Sequence, residues 1–204
     1  MPTMKPAYFW TADVTLEVKN LAFSLQTKDE GMGANRKRIF TADWIRDGKV
    51  MFNPAQRVSG WLKKQLPLLR SSYADQVQAV KTFPADDQEL WEPIADANEL
   101  EGVSTAPEDN MSYPEGIPFP NKTHIVVDDS KGGTRSTTTY WLTLNRPTIV
   151  QIRIMCFARS IEPDMIHEAF REIGQATGLG DKHSQGFGTF VVKKFKSETK
   201  RLKL

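Results

Sequence analysis

The stretch "GLGDKHSQGFGTFVVKKF", Gly178 to Phe195, decides how this chain is read. Two Gly-x-Gly pairs, five mostly polar residues apart, run straight into a β-branched and aromatic segment. Upstream, "EPDMIHEAFREIGQATG" opens with Pro163 and places Met165, Ile166, Ala169, Phe170 and Ile173 on one face, which predicts a helix closed by Gly178 as its C-terminal cap. Downstream, "GTFVVKKF" predicts a last strand. Gly180, Gly186 and Gly188 then surround Lys182, His183, Ser184 and Gln185, so that bare backbone amides sit among donors and one cation. A polyanion can approach such a main chain closely. The bland alternative is a permissive helix-to-strand loop. The spacing is not that of a P-loop or a dinucleotide fingerprint, and the motif precedes a strand where those precede a helix, so no cofactor is expected.

Working outward, "TTTYWLTLNRPTIVQIRIMCF" supplies strand material on both sides of an Asn145-Arg146-Pro147 turn, with Val150, Ile152, Ile154 and Cys156 facing one way. "ADVTLEVKNLAF" alternates in the same manner, Val14, Leu16 and Val18 opposing Thr15, Glu17 and Lys19, and predicts a half-buried first strand. "NPAQRVSGWLKKQL" has Asn53 in a capping position and Pro54 at the first helical position. Val58, Trp61, Leu62 and Leu66 give that helix an apolar side, and Arg57, Lys63 and Lys64 a basic one. The order β, α, insertion, β, β, α, glycine loop, β is that of an α+β, ferredoxin-like or RRM-like sheet with two helices.

The 204 residues, 39% apolar, suffice for one sizeable core. The single cysteine, Cys156, permits no internal disulfide and fits a reducing, cytoplasmic setting. No run of eighteen apolar residues occurs, and "MPTMKPAYFWTADV" lacks the pattern of a cleaved leader, so no membrane association is expected. The net charge of +2 hides a division: residues 71–135 hold four basic and thirteen acidic residues, a balance of −9, against 23 basic and 12 acidic elsewhere. With six prolines as well, that stretch reads as an irregular acidic insertion between basic flanks. The expected division is therefore an RNA-binding core, 1–70 and 136–204, and an acidic thumb or lid, 71–135.

The Gly-x-Gly, five residues, Gly-x-Gly loop before a last strand resembles the glycine-rich loop of the RAMP superfamily of CRISPR-associated RNA-binding proteins. "VMFNPAQRVSGWLKKQL" is similar to the proline-led turn and basic helix that follow strand one in the guide-RNA-coating backbone subunits of CRISPR effector complexes, with Ser59, Gly60, Lys63 and Lys64 in that pattern. The chain departs from it in having Asn-Pro-Ala-Gln-Arg-Val where the family often has a proline, glycine and serine run. The resemblance implies a subunit that coats single-stranded guide RNA, repeated along it, with copies of itself, other effector subunits and a target nucleic acid as partners.

A groove for single-stranded nucleic acid needs cations, close amides and stacking faces. Arg36, Lys37, Arg38, Arg57, Lys63, Lys64 and Lys182 supply the first, Gly180, Gly186, Gly188, Ser59, His183, Ser184 and Gln185 the second, and Trp44 and Phe187 the third. His124, His167 and His183 are far apart and no cysteine pair exists, so no metal is expected. The enzymatic alternative is a repeat-processing endoribonuclease, for which the resemblance points to Asp29, in a loop after strand one, and His183 as weak catalytic candidates. A phage single-strand-binding protein of the same fold is a third reading.

Overall fold

The computed structural model describes residues 8–31, 37–69, 71–85, 90–102, 111–128, 134–158, 160–181 and 186–201. The chain forms two compact units, one of residues 1–19, 53–92 and 147–204, the other of residues 20–52 and 93–146.

The first unit is the ferredoxin-like sheet. β1 (Tyr8–Val18) and β11 (Thr148–Cys156) lie antiparallel at its centre, flanked by β12 (Phe190–Arg201) and β6 (Val80–Pro84), in the order β12-β1-β11-β6. Alternation works as physical chemistry requires: Val14, Leu16, Val18, Val150, Ile152 and Ile154 are all buried on one face. Two helices cover that face, α1 (Pro54–Leu69) and α2 (Pro163–Ile173). Asn53 caps α1, its Oδ1 accepting the Gln56 N–H at 2.9 Å, while Pro54 takes the position where a missing N–H costs nothing. Val58, Leu62 and Leu66 enter the core, and Trp61 meets Phe170 and Phe190 with ring centroids 5.3 and 5.2 Å away. His167 of α2 stacks on Phe195 of β12 at 4.6 Å.

The second unit holds a five-stranded sheet, in the order β8 (Met111–Ser112), β3 (Lys37–Thr41), β2 (Leu21–Glu30), β10 (Thr134–Leu144), β9 (Asn121–Asp128). All its pairings are antiparallel except β3 with β8. A smaller sheet joins β4 (Ile45–Arg46), β5 (Lys49–Phe52) and β7 (Glu92–Asp96). Aromatic rings fill the unit: Phe40 lies 4.7 Å from both Tyr113 and Tyr140, and Phe23 lies 4.7 Å from Trp44.

The expected fold class is present, and its parts come from other segments than the composition suggested. The second strand of the ferredoxin-like order is β6, from within the acidic stretch. β10, "TRSTTTYWLTL", pairs instead with β2 and β9 in the second unit. Residues 20–52, taken by charge as part of the basic core, form β2 to β5 of that unit. Charge counting misses this because strand pairing is decided by partners distant in sequence. The acidic stretch is thus divided between the units and carries β6, β7, β8, β9 and the start of β10.

Candidate nucleic-acid interface

The glycine loop has a clear construction. α2 ends at Ile173, with Gly174 as its cap in an ordinary right-handed conformation, so Gly178 is not the cap that its position after the helical pattern predicts. Gly178 and Gly188 instead allow two backbone segments to touch. A Cβ on Gly178 would fall 1.9 Å from the Phe187 carbonyl oxygen, and one on Gly188 would fall 1.7 Å from that of Leu179. The Leu179 N–H donates to the Gly188 carbonyl at 2.8 Å, closing the neck. The Gly188 N–H donates to Lys19 at 3.0 Å, and the Lys19 N–H to Thr189 at 2.7 Å, which ties the neck to the end of β1. Gly186 has a positive φ of 86°, with open space where a Cβ would stand.

The neck of this loop and the exposed side of α1 face each other across a cleft of ≈ 500 Å³. Gln56, Arg57, Gly60 and Lys64 line one wall and Leu179 and Gly180 the other, with Trp91 also on the lining. Gly60 adds no side chain to its wall, so the helix backbone stays accessible there. Ser59 and Lys63, one step round the helix, line a neighbouring hollow of ≈ 410 Å³ together with Thr82 and Leu90. Lys63 and Lys64 are exposed and have no acidic partner among the described residues. Arg57 does have one: its Nη1 lies 3.0 Å from Asp181 Oδ1, an ion pair between helix and loop. A phosphate entering here must compete with that carboxylate. Trp61 forms the cleft floor, its Nε1–H donating to the carbonyl and hydroxyl oxygens of Thr177 at 3.1 and 3.0 Å.

Of the candidates read from the sequence, Arg57, Lys64 and Gly180 line this cleft, and Ser59 and Lys63 line the adjoining hollow. Phe187 is half-buried and Gly188 buried at the loop neck. Arg36, Lys182, His183, Ser184 and Gln185 lie outside the described residues. Lys37, Arg38 and Trp44 belong to the second unit. There Trp44 stacks on Phe23 with planes 28° apart and donates its Nε1–H to the Ser24 carbonyl at 3.1 Å. Asp29 is on β2 and not in a loop: it faces Arg38 across the β2–β3 pair, with Nε 3.3 Å from its Oδ1. That carboxylate holds the Arg38 guanidinium above its ordinary pKa. Among the described residues no group of three or more His, Cys, Asp or Glu could hold a metal, and no helix is long and apolar enough to cross a membrane.

Trp91, like Gln56, Gln65 and Leu179, lines the cleft without being among the candidates read from the sequence. It sits in "ELWEP" inside the acidic stretch, where the charge count hid an aromatic side chain bound for the basic helix.

No protein-family model matches the chain, and no curated protein matches it in sequence. Among solved structures, a chain in the cryo-EM structure of the Type III-B Cmr-beta complex bound to cognate target RNA aligns with 93% of this chain at 12% identity and a TM-score of 0.44. This chain spans 60% of the length of that one.

Proposed function

We propose that the chain is a single-stranded RNA-binding subunit of a CRISPR effector complex, coating the guide RNA as a repeated subunit. One observation carries the reading. The two sequence motifs that resemble the RAMP superfamily, α1 and the glycine loop, are far apart in the chain and line opposite walls of one cleft. That cleft presents Lys64, with Lys63 beside it, to a phosphate backbone, a bare helix turn at Gly60, and Trp91 to a base. The remainder of the acidic stretch, which belongs to the second unit, is proposed to meet neighbouring subunits, since its charge opposes direct contact with RNA.

Identifying the nucleic acid that co-purifies with the chain, and its length, is the first experiment. Single-stranded RNA of defined length carrying several copies of the chain is expected; a preparation in which the chain neither carries nor binds single-stranded RNA sinks the reading. Affinity for such RNA should fall steeply with salt and depend little on base sequence. Replacing Lys63 and Lys64 together by Ala should flatten the logarithmic salt dependence by about 1.4, at ~0.7 per lost phosphate contact on a single strand.

A further inference from the structure

The face of the ferredoxin-like sheet turned away from α1 and α2 is a second surface whose composition asks for a ligand. Cross-strand register fixes which side chains share it. Phe9, Thr11 and Asp13 of β1 stand on it beside Met155 and Arg153 of β11, because the alternate positions Trp10, Ala12, Ile152, Ile154 and Cys156 are buried under the helices. Phe83 of β6 is paired with Arg153 on the same face. Phe157, directly after β11, stacks on Phe9 with centroids 5.6 Å apart and planes 27° apart. These rings are not covered: Phe83 is 43% exposed and Phe157 48%.

The third ingredient is charge. β12 sets Lys194, Lys196 and Lys200 opposite Thr15, Asp13 and Phe9, and therefore on this face as well. Lys81 of β6 joins them opposite Met155. Arg153 is held at 2.8 Å by Asp13, and Lys193, at the bulge of β12, lies 2.9 Å from Glu17. Lys81, Lys194 and Lys196 have no acidic partner among the described residues. Cations outnumber carboxylates on the face, so two copies set face to face would repel, while a polyanion would be attracted.

We propose that this open sheet face is a second binding surface for single-stranded nucleic acid, separate from the α1–glycine-loop cleft and not dependent on it. The Phe9–Phe157 pair and Phe83 are its stacking platforms, and Lys81, Lys194 and Lys196 its phosphate contacts, Lys200 being held 3.4 Å from Glu198. Arg153, the cross-strand neighbour of Phe83, and Phe157 are four residues apart along extended chain, about 13 Å, so the two platforms receive different bases. Aromatic faces and lysines contact what every nucleotide carries, a ring face and a phosphate, so affinity is expected to depend little on base sequence.

The test uses the full chain and a fluorescein-labelled oligouridine of about 20 nucleotides. Replacing Phe83 and Phe157 together by Ala should weaken binding tenfold or more, with the salt dependence and melting temperature unchanged, because exposed rings stack on bases and support no core. Replacing both by Leu, which keeps apolar area without a flat ring, should recover less than half of the loss on a logarithmic scale. Exchanging Lys194 and Lys196 for Gln should flatten the salt dependence, and 4-thiouridine placed in the oligonucleotide should crosslink to peptides holding Phe83 and Phe157. Unchanged affinity in the double Ala variant overturns the proposal, as does full recovery by Leu. A fall in particle mass without loss of affinity would also overturn it, by showing the face to be a protein contact. The Lys63 and Lys64 variant is run beside these: loss there alone supports the cleft only, and loss in the Phe variant alone supports the sheet face only.

Discussion

In the ferredoxin-like unit two α-helices cover one face of a four-stranded sheet, whereas the described residues of the second unit hold no α-helix and bury their strands under rings from neighbouring segments. Phe170 of α2 is fully buried, and it reaches Trp61 of α1 and Phe190 of β12 at centroid distances of 5.3 and 5.8 Å. Phe40 of β3 is as central to its own unit, between Tyr113 and Tyr140. The difference bears on function. A helix presents one fixed row of exposed groups while its other side is packed, so Arg57, Gly60 and Lys64 can form a wall. In the second unit the comparable candidates are already in use, Arg38 against Asp29 and Trp44 against Phe23.

The two units are expected to have separate stabilities. Phe170→Ala and Phe40→Ala should each cost about 3–5 kcal/mol. Amide exchange should then rise in β1, β11 and β12 for the first variant, and in β2, β3 and β10 for the second. Equal acceleration in both units for either variant would show one cooperative structure, and the contrast would lose its meaning.

Within the first unit, two glycines of one loop differ in what a side chain would meet. Gly188→Ala meets a positive φ of 72° and a backbone oxygen 1.7 Å away, and should cost about 2–4 kcal/mol. Gly186→Ala meets only the positive φ, and about 1 kcal/mol is expected. Thermal melts of the two variants decide it; equal losses would mean that the neck has no special role.

Asp181→Asn should leave stability within about 0.5 kcal/mol, since the Arg57 pair is partly exposed. It should raise affinity for single-stranded RNA by freeing a cation beside Lys64. Weaker binding after this change would show that the ion pair itself shapes the cleft.

The smallest effect concerns Glu92, at the edge of the first unit, whose Oε1 is buried without a hydrogen-bond partner among the described residues. Burial pushes its carboxyl above the usual range. A carboxyl with a raised pKa in the folded state contributes its stability below the unfolded pKa and loses it as pH rises through the folded one. Glu92→Gln should therefore raise the melting temperature at pH 7, with the gain shrinking as pH falls through the raised pKa and lost once pH is below the ordinary carboxylate value. A gain that stays constant down to acid pH would place the effect in packing and not in charge.

The local signals of the first unit are legible without a structure. Alternation in β1 and β11, the Asn53-Pro54 start of α1 and the Pro163 start of α2 each act within a few residues, through burial of every second side chain or a single cap. They lead to the ferredoxin-like order and to α1 and the glycine loop as candidate walls. Partner choice is not legible. β6 is five residues long, and nothing in "VKTFP" announces that β11 will take it, just as nothing in the five residues of β3 announces β2. A strand of that length has too little pattern of its own, because its backbone bonds and its buried face are both completed by residues elsewhere in the chain. The same holds for Gly178 and Trp91. Gly178 follows a helical pattern and so has the position of a cap, yet the fold brings Phe187 against it. Trp91 is surrounded by acidic residues in the chain, yet it lines a cleft beside the basic side of α1. Sequence determined where the helices and long strands begin, since those choices are made locally. Only tertiary structure decided which segments meet, since that depends on the free energy of contacts between residues that the chain alone keeps far apart.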